Sequence, residues 1–203
     1  MRCGLPPTQS NVLVEGDLCQ SCDGASALSE RASSDQGRGS GERRAGVVMR
    51  TWAESVDASV SAIARHFGPV RGATPAEIRG IEREAGGALP AAYVAFLREV
   101  GRDPGDFMRG SDFDVQYLRG PVAENCAEVL AEDGAEPLPP RAFVFFGHQG
   151  YQYYWFVSSA EPDPPVFYYS TSTRLHTKLA ESFSEWLEMF VESEMRVRSQ
   201  LGR

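Results

Sequence analysis

Lysine is nearly missing from this chain: Lys178 stands alone against 19 arginines, an imbalance that reads as coding bias. With a formal net charge of −8 there is no basic surplus to displace counterions, so a nucleic-acid partner is not expected. Long apolar runs are also missing. The longest near the start is Val12-Leu13-Val14, too short for a signal peptide or a membrane span, so no membrane partner is expected. Cysteine is scarce. Cys3, Cys19 and Cys22 fall in a polar stretch and Cys126 in an expected helix, which is not a disulfide framework and implies a reducing, cytoplasmic setting.

Aromatics are absent before Trp52. Residues 1–48 are dominated by Gly, Ser, Arg and acidic residues, and runs such as Ser33 to Gly41 cannot bury enough apolar surface to offset ordering. This segment is expected to be a disordered, low-complexity tail, with Met49 as an alternative start. The folded domain is expected over 49–200.

The aromatics concentrate instead in Arg141 to Val157, RAFVFFGHQGYQYYWFV. Two short apolar runs flank Gly147-His148-Gln149-Gly150, which suits a β-hairpin with that tetrad as its turn. Neither run alternates strictly, so both strands are expected to be covered on both faces, at the centre of a sheet.

Helices surround this hairpin. Trp52, Val56, Val60, Ile63 and Phe67 recur at helical spacing up to Gly68-Pro69. Thr74, Pro75 and Glu77 open a capped helix that Gly86-Gly87 stops. Leu89-Pro90 opens a third, with Tyr93, Phe96 and Leu97 on one side. Phe113, Val115 and Tyr117 alternate with Asp112, Asp114 and Gln116, which predicts a half-exposed strand. Pro121 begins a helix carrying Val122, Cys126, Val129 and Leu130. Val166 to Tyr169 is a further strand. Ser182 and Glu185 predict a capping box before the last helix, whose apolar face includes Phe183, Trp186, Leu187, Phe190 and Val191. The order predicts an α+β single domain with a mainly antiparallel sheet packed on helices.

No catalytic constellation emerges. Cys19-x-x-Cys22 lacks the second pair a structural zinc site needs, so no metal is expected. There is no P-loop, no Gly-x-Gly-x-x-Gly after a strand and no EF-hand run, so no cofactor is expected. A hydrolase would have to rest on His148, with no Gly-x-Ser-x-Gly elbow to serve it. Cys126 lies on an apolar helix face and reads as packing. The tyrosines Tyr151, Tyr153, Tyr154, Tyr168 and Tyr169 read mainly as core, with at least one ring expected at the surface.

The stretches 72–82, 88–97, 143–152, 163–166 and 182–187 together resemble the SUKH superfamily, in its Smi/Knr-type branch. They include a Leu-Pro-x-x-Tyr-x-x-Phe-Leu helix at Leu89–Leu97 and a closing Ser-Phe-x-x-Trp-Leu helix at Ser182–Leu187. The resemblance implies a non-enzymatic α+β domain. It further implies an immunity protein that binds and neutralises a bacterial toxin, or else a regulatory scaffold of the cell-wall-assembly type. It transfers no catalytic or contact residue. The exposed-looking polar residues of the hairpin and the preceding strand, His148, Gln149, Tyr151, Asp112 and Asp114, are the candidate partner contacts. His148 as a turn residue implies that His148→Ala leaves the fold intact. Residues 49–203 carry 22 acidic and 15 basic side chains, which suits a basic partner steered by charge.

Overall fold

The computed structural model describes residues 50–200. The expected tail at 1–48, with Cys3, Cys19 and Cys22, lies outside the described residues. Among the described residues there are five helices and five strands, and the sheet is antiparallel throughout: an α+β domain, as expected. In chain order they are α1 (Trp52–His66), α2 (Pro75–Glu84), α3 (Ala91–Val100), β1 (Ser111–Asp112), α4 (Pro121–Asp133), β2 (Ala142–His148), β3 (Gln152–Val157), β4 (Val166–Ser170), β5 (Leu175–Ala180) and α5 (Phe183–Gln200). The strands lie side by side in sequence order, β1 to β5.

The helix ends follow local chemistry. Thr74 and Glu77 form the expected capping box on α2, and Thr51 with Glu54 forms another on α1. At the far end of α2, Gly86 adopts φ +72°, the Gly87 amide donates to the Glu82 carbonyl at 3.0 Å, and the Gly86 amide donates to that of Arg83 at 3.3 Å. These two bonds make a Schellman stop. The start of α5 departs from the expected box. Ser182 Oγ accepts from the Glu185 amide at 3.1 Å, but the Glu185 carboxylate reaches the amide of Glu181 instead of Ser182. Asp163 caps a neighbouring donor of the first turn, accepting from the Ser184 amide at 2.9 Å and from the Ser184 hydroxyl at 2.6 Å.

The core sits where β2 and β3 meet α3 and α5. Val144 pairs with Trp155 and Phe146 with Tyr154, so Phe145 is an extra residue in β2. That bulge places Phe143, Phe145 and Phe146 on one face of the sheet. Tyr93 from α3 is fully buried against Phe143, Phe145, Phe156 and Phe183, with ring centroids 5.2–5.8 Å apart. From α5, Trp186 packs edge-on to Phe145 at 4.8 Å and Phe190 lies 5.3 Å from Tyr154. The opposite face carries Val144, Gly147, Tyr153 and Trp155, and α4 covers it with Val122, Cys126 and Leu130. Both hairpin strands are therefore buried on both faces, as expected.

Two strand expectations need correction. No strand runs through Phe113, Val115 and Tyr117. The strand is Ser111–Asp112, and the chain then turns because the Asp114 carboxylate accepts from the Gln116 amide at 2.8 Å and its carbonyl accepts from Tyr117 and Leu118 at 3.1 Å. Phe113 and Val115 are buried all the same, while Tyr117 is exposed. The second correction is β5, Leu-His-Thr-Lys-Leu-Ala, which carries no aromatic residue and one β-branched residue to mark it as a strand.

One close approach decides whether α2 and α3 can assemble. A Cβ on Gly72 would lie 1.6 Å from the carbonyl oxygen of Arg98, near the end of α3, where the Ala73 amide donates to Leu97 at 2.8 Å. Gly72→Ala should cost at least about 3 kcal/mol or prevent folding, because backbone must move. Gly87→Ala, with open space around it, should stay within about 0.5 kcal/mol of wild type. Equilibrium urea denaturation of the two variants checks the contrast.

Candidate functional site

The five candidate contacts gather around one corner of the sheet, where β1, the end of β2 and the hairpin turn meet. Ser111 pairs with His148 and Asp112 with Gly147. His148 is the last residue of β2 and not part of the turn, which consists of Gln149, Gly150 and Tyr151. Gln149 and Gly150 take φ values of 48° and 77°, and the Tyr151 amide donates to the His148 carbonyl at 3.1 Å. Two positive-φ residues at the centre match the twist of the flanking strands. Gln149 is fully exposed there, and Tyr151 is half-buried with its ring edge-on to His148 at 5.6 Å.

His148 itself is buried, 8% exposed, and its Nδ1 lies 2.8 Å from the Ser111 hydroxyl. This contact ties the two-residue β1 to the sheet. Directly opposed residues share a face, so Ser111 and His148 lie on the side of α3 and α5, while Asp112 and Gly147 lie on the side of α4. The corner thus splits the candidate set between two faces. Asp112 is half-buried; desolvation pushes its carboxyl above the ordinary value, Asp114 adds to the push, and His148 opposes it. Asp114 is half-buried in the turn after β1, its carboxylate already accepting from Gln116.

The face under α4 carries a row that sequence reasoning missed. Register aligns Asp112, Gly147, Tyr153, Tyr169 and His176 across all five strands. Gly147 has no room for a side chain: a Cβ there would meet Val122 Cγ2 at 2.9 Å and Tyr153 Cε1 at 3.5 Å. Tyr169 donates its hydroxyl to Asp133 at the end of α4 at 2.7 Å, and Arg174 stands 3.4 Å from the other carboxylate oxygen. His176 Nε2 lies 2.8 Å from the carbonyl of Glu136, which fixes the proton on Nε2. No pattern along β4, Val-Phe-Tyr-Tyr-Ser, announces this row; it follows from strand register alone. Of the tyrosines, Tyr153, Tyr154 and Tyr169 are core, while Tyr151 and Tyr168 are half-buried. Tyr151 and Tyr168 are the most accessible of the five, and neither is as exposed as was expected of at least one ring.

Chemically the corner offers one hydroxyl–imidazole pair. A working serine nucleophile needs its base oriented by a third group, and among the described residues no carboxylate bonds His148. Burial lifts the Cys126 thiol to about 12, so it stays protonated at neutral pH and packs under α4. Among the described residues no three His, Cys, Asp or Glu side chains come together as a metal site. A shallow surface hollow lined by Arg79, Glu82, Arg83, Gly86 and Gly87 lies at the end of α2, on other elements than the corner.

The model of the SMI1 / KNR4 family (SUKH-1) matches residues 72–189, more than half of the chain. The chain belongs to this family. Its match opens at Gly72, the glycine pressed against Arg98, and runs through α2, α3, α4 and the whole sheet into α5. The helix α1 precedes it. Among curated proteins there is no significant match. SUKH domains are protein-interaction modules, and no helix among the described residues is long and apolar enough to cross a membrane.

Two measurements test the corner. Ser111→Ala and His148→Ala should each leave a cooperative fold but lose about 1–3 kcal/mol, with a coupling near 1 kcal/mol in the double mutant. A coupling indistinguishable from zero would show that the 2.8 Å contact holds nothing in place. For Asp112 the sign follows from its raised carboxyl. The folded state binds that proton more tightly than the unfolded chain, so the stability it lends is present at low pH and is lost as pH rises through the raised value. Asp112→Asn should therefore melt above wild type at pH 7, and the gap should close below about pH 4, the ordinary carboxylate value.

Proposed function

We propose that this SUKH domain is a non-enzymatic, cytoplasmic immunity protein that binds and neutralises a bacterial toxin domain carrying a basic surface. The reading rests on family membership, and one observation carries the charge of the partner. On α4, Glu124, Glu128 and Glu132 are exposed at four-residue spacing, and the helix contains no lysine or arginine. None of the three forms an ion pair among the described residues. Like charges at this spacing weaken a helix by a few tenths of a kcal/mol per pair; Glu124, in the first turn, gains from the helix N-terminus, but Glu128 and Glu132 have no such return. A basic partner turns that cost into association rate by electrostatic steering. Asp112 and Asp114, with Gln149, Tyr151 and the end of β2 at His148, form the candidate contact corner, and Gln149 is its most accessible side chain.

The Ser111–His148 contact favours a second reading, a hydrolase. Its hydroxyl belongs to a strand pair and its imidazole is buried with no orienting carboxylate among the described residues, so the contact reads better as a clasp. A regulatory scaffold acting on the cell's own proteins differs from the toxin-binding reading in its partner, not in its surface.

Co-expression with toxin domains encoded beside this gene tests the proposal by growth rescue. With a rescuing partner in hand, the triple reversal Glu124→Lys, Glu128→Lys, Glu132→Lys should slow association by at least about tenfold at low salt, with dissociation changed far less. Association that ignores the reversal would remove α4 from the interface. Capture of the cell's own proteins with no rescue by any neighbouring toxin would favour the scaffold.

A further inference from the structure

We propose that β5 is a self-pairing edge: two copies of the chain join antiparallel about a two-fold axis at Thr177, extending the sheet from five strands to ten. β5 is the last strand and bonds to β4 alone. Among the described residues no backbone hydrogen bond reaches its outer edge. An open row of amides and carbonyls is a template for another strand. The opposite edge of the sheet is poorly suited to that role, since β1 has two residues and runs into the Asp114 turn.

The side chains of β5 select a second copy as the occupant. Leu175 is 64% exposed, a large apolar side chain left in water, and Leu179, the extra residue of a bulge between Lys178 and Ala180, is half-buried. Antiparallel pairing centred on Thr177 sets Thr177 opposite itself and His176 opposite Lys178, and brings Leu175 toward the bulged Leu179 of the other copy, twice by symmetry. Apolar pairs and threonine pairs are both favourable across strands. Charge then chooses among the registers that keep faces matched. Centring on Lys178 would oppose two lysines, and centring on His176 would oppose Lys178 with Arg174. Centring on Thr177 opposes no like charges, with Arg174 and Glu181 already paired to Asp133 and Lys178 of their own chain. A six-residue strand is about 20 Å long, so the contact falls at the small end of stable interfaces and the dimer should be concentration-dependent. It stands independently of the toxin-binding reading, which concerns α4 and the β1–β2 corner.

Sedimentation velocity of the full chain from about 5 μM to about 500 μM should show a monomer shifting to a dimer, a range that spans weak self-association. Thr177→Lys sets two ammonium groups on the axis at an exposed position, and it should stay monomeric throughout with an unchanged melting temperature. In a background with Cys3, Cys19 and Cys22 changed to serine, oxidised Thr177→Cys should form a covalent dimer, because a residue on the axis faces itself within disulfide reach. His176→Cys, which faces Lys178 of the other copy, should cross-link far less. The proposal fails if wild type remains monomeric at the highest concentration, or if His176→Cys cross-links as readily as Thr177→Cys. It also fails if the outer amides of β5 are protected from hydrogen exchange in dilute monomer, which would mean that the chain covers its own edge.

Discussion

The domain depends on one extra residue in β2. Without the bulge at Phe145, strict alternation would send Phe145 and Phe146 to opposite faces, and α3 and α5 would meet an incomplete aromatic surface. With it, Phe143, Phe145 and Phe146 line one side, and Tyr93, Phe183, Trp186 and Phe190 close over them. Each edge-to-face or offset pair adds about 0.5–1.5 kcal/mol beyond the area it buries. The packing is dense enough to exact a cost: the Tyr93 hydroxyl is buried with no hydrogen-bond partner, and burial holds its pKa well above the usual phenol value. A lone buried hydroxyl of this kind is worth about 1–3 kcal/mol against folding. The cluster of rings around it outweighs that, since Tyr93 alone touches five aromatic neighbours.

The same bulge frees the other face for α4. Val144 and Gly147 point that way, and the bare Gly147 lets Val122 and the Tyr153 ring come close. Once helices occupy both faces of the central strands, little of the sheet remains available to a partner. What is left of it is the β1–β2 corner and the edge of β5. Function in this domain is thus confined by packing before any side chain is considered, which agrees with an interaction module whose specificity lies in surface residues.

Most of the fold was legible in the sequence where a local cause sets it. The boxes at Thr74–Glu77 and the double glycine at Gly86-Gly87 mark their helix ends directly, and the apolar spacing from Trp52 to Phe67 marks α1. The misreadings come from one local turn and from pairing between strands. Phe113 and Val115 alternate with aspartates as a strand would, yet Asp114 spends its carboxylate on the Gln116 amide and bends the chain. β5 holds its place through pairing with β4, which no property of Leu-His-Thr-Lys-Leu-Ala announces. His148 looked like a turn residue because it lies between Gly147 and Gly150, but pairing with Ser111 and Gln152 carries β2 through it. The candidate contacts were therefore named together with their faces unassigned, since facing follows from a register that the sequence does not print.

Charge adds the last constraint. On the side of α2 and α3, arginines neutralise the acids: Arg71 pairs with Asp103, Arg102 with Glu77, and Arg119 with Glu84. These exposed pairs contribute little to stability, about 0–1 kcal/mol each, but they flatten the local field. On α4, Asp133 is matched by Arg174 and by Tyr169, while Glu124, Glu128 and Glu132 are matched by nothing among the described residues. The net charge of −8 is therefore unevenly displayed. At physiological salt a field persists only about 8 Å from its source, so a distant excess of acids cannot guide a partner, whereas a ridge along the exposed side of one helix can. On the proposed reading this ridge is what a basic partner would meet first, while Asp112 at the corner resists carrying its own charge.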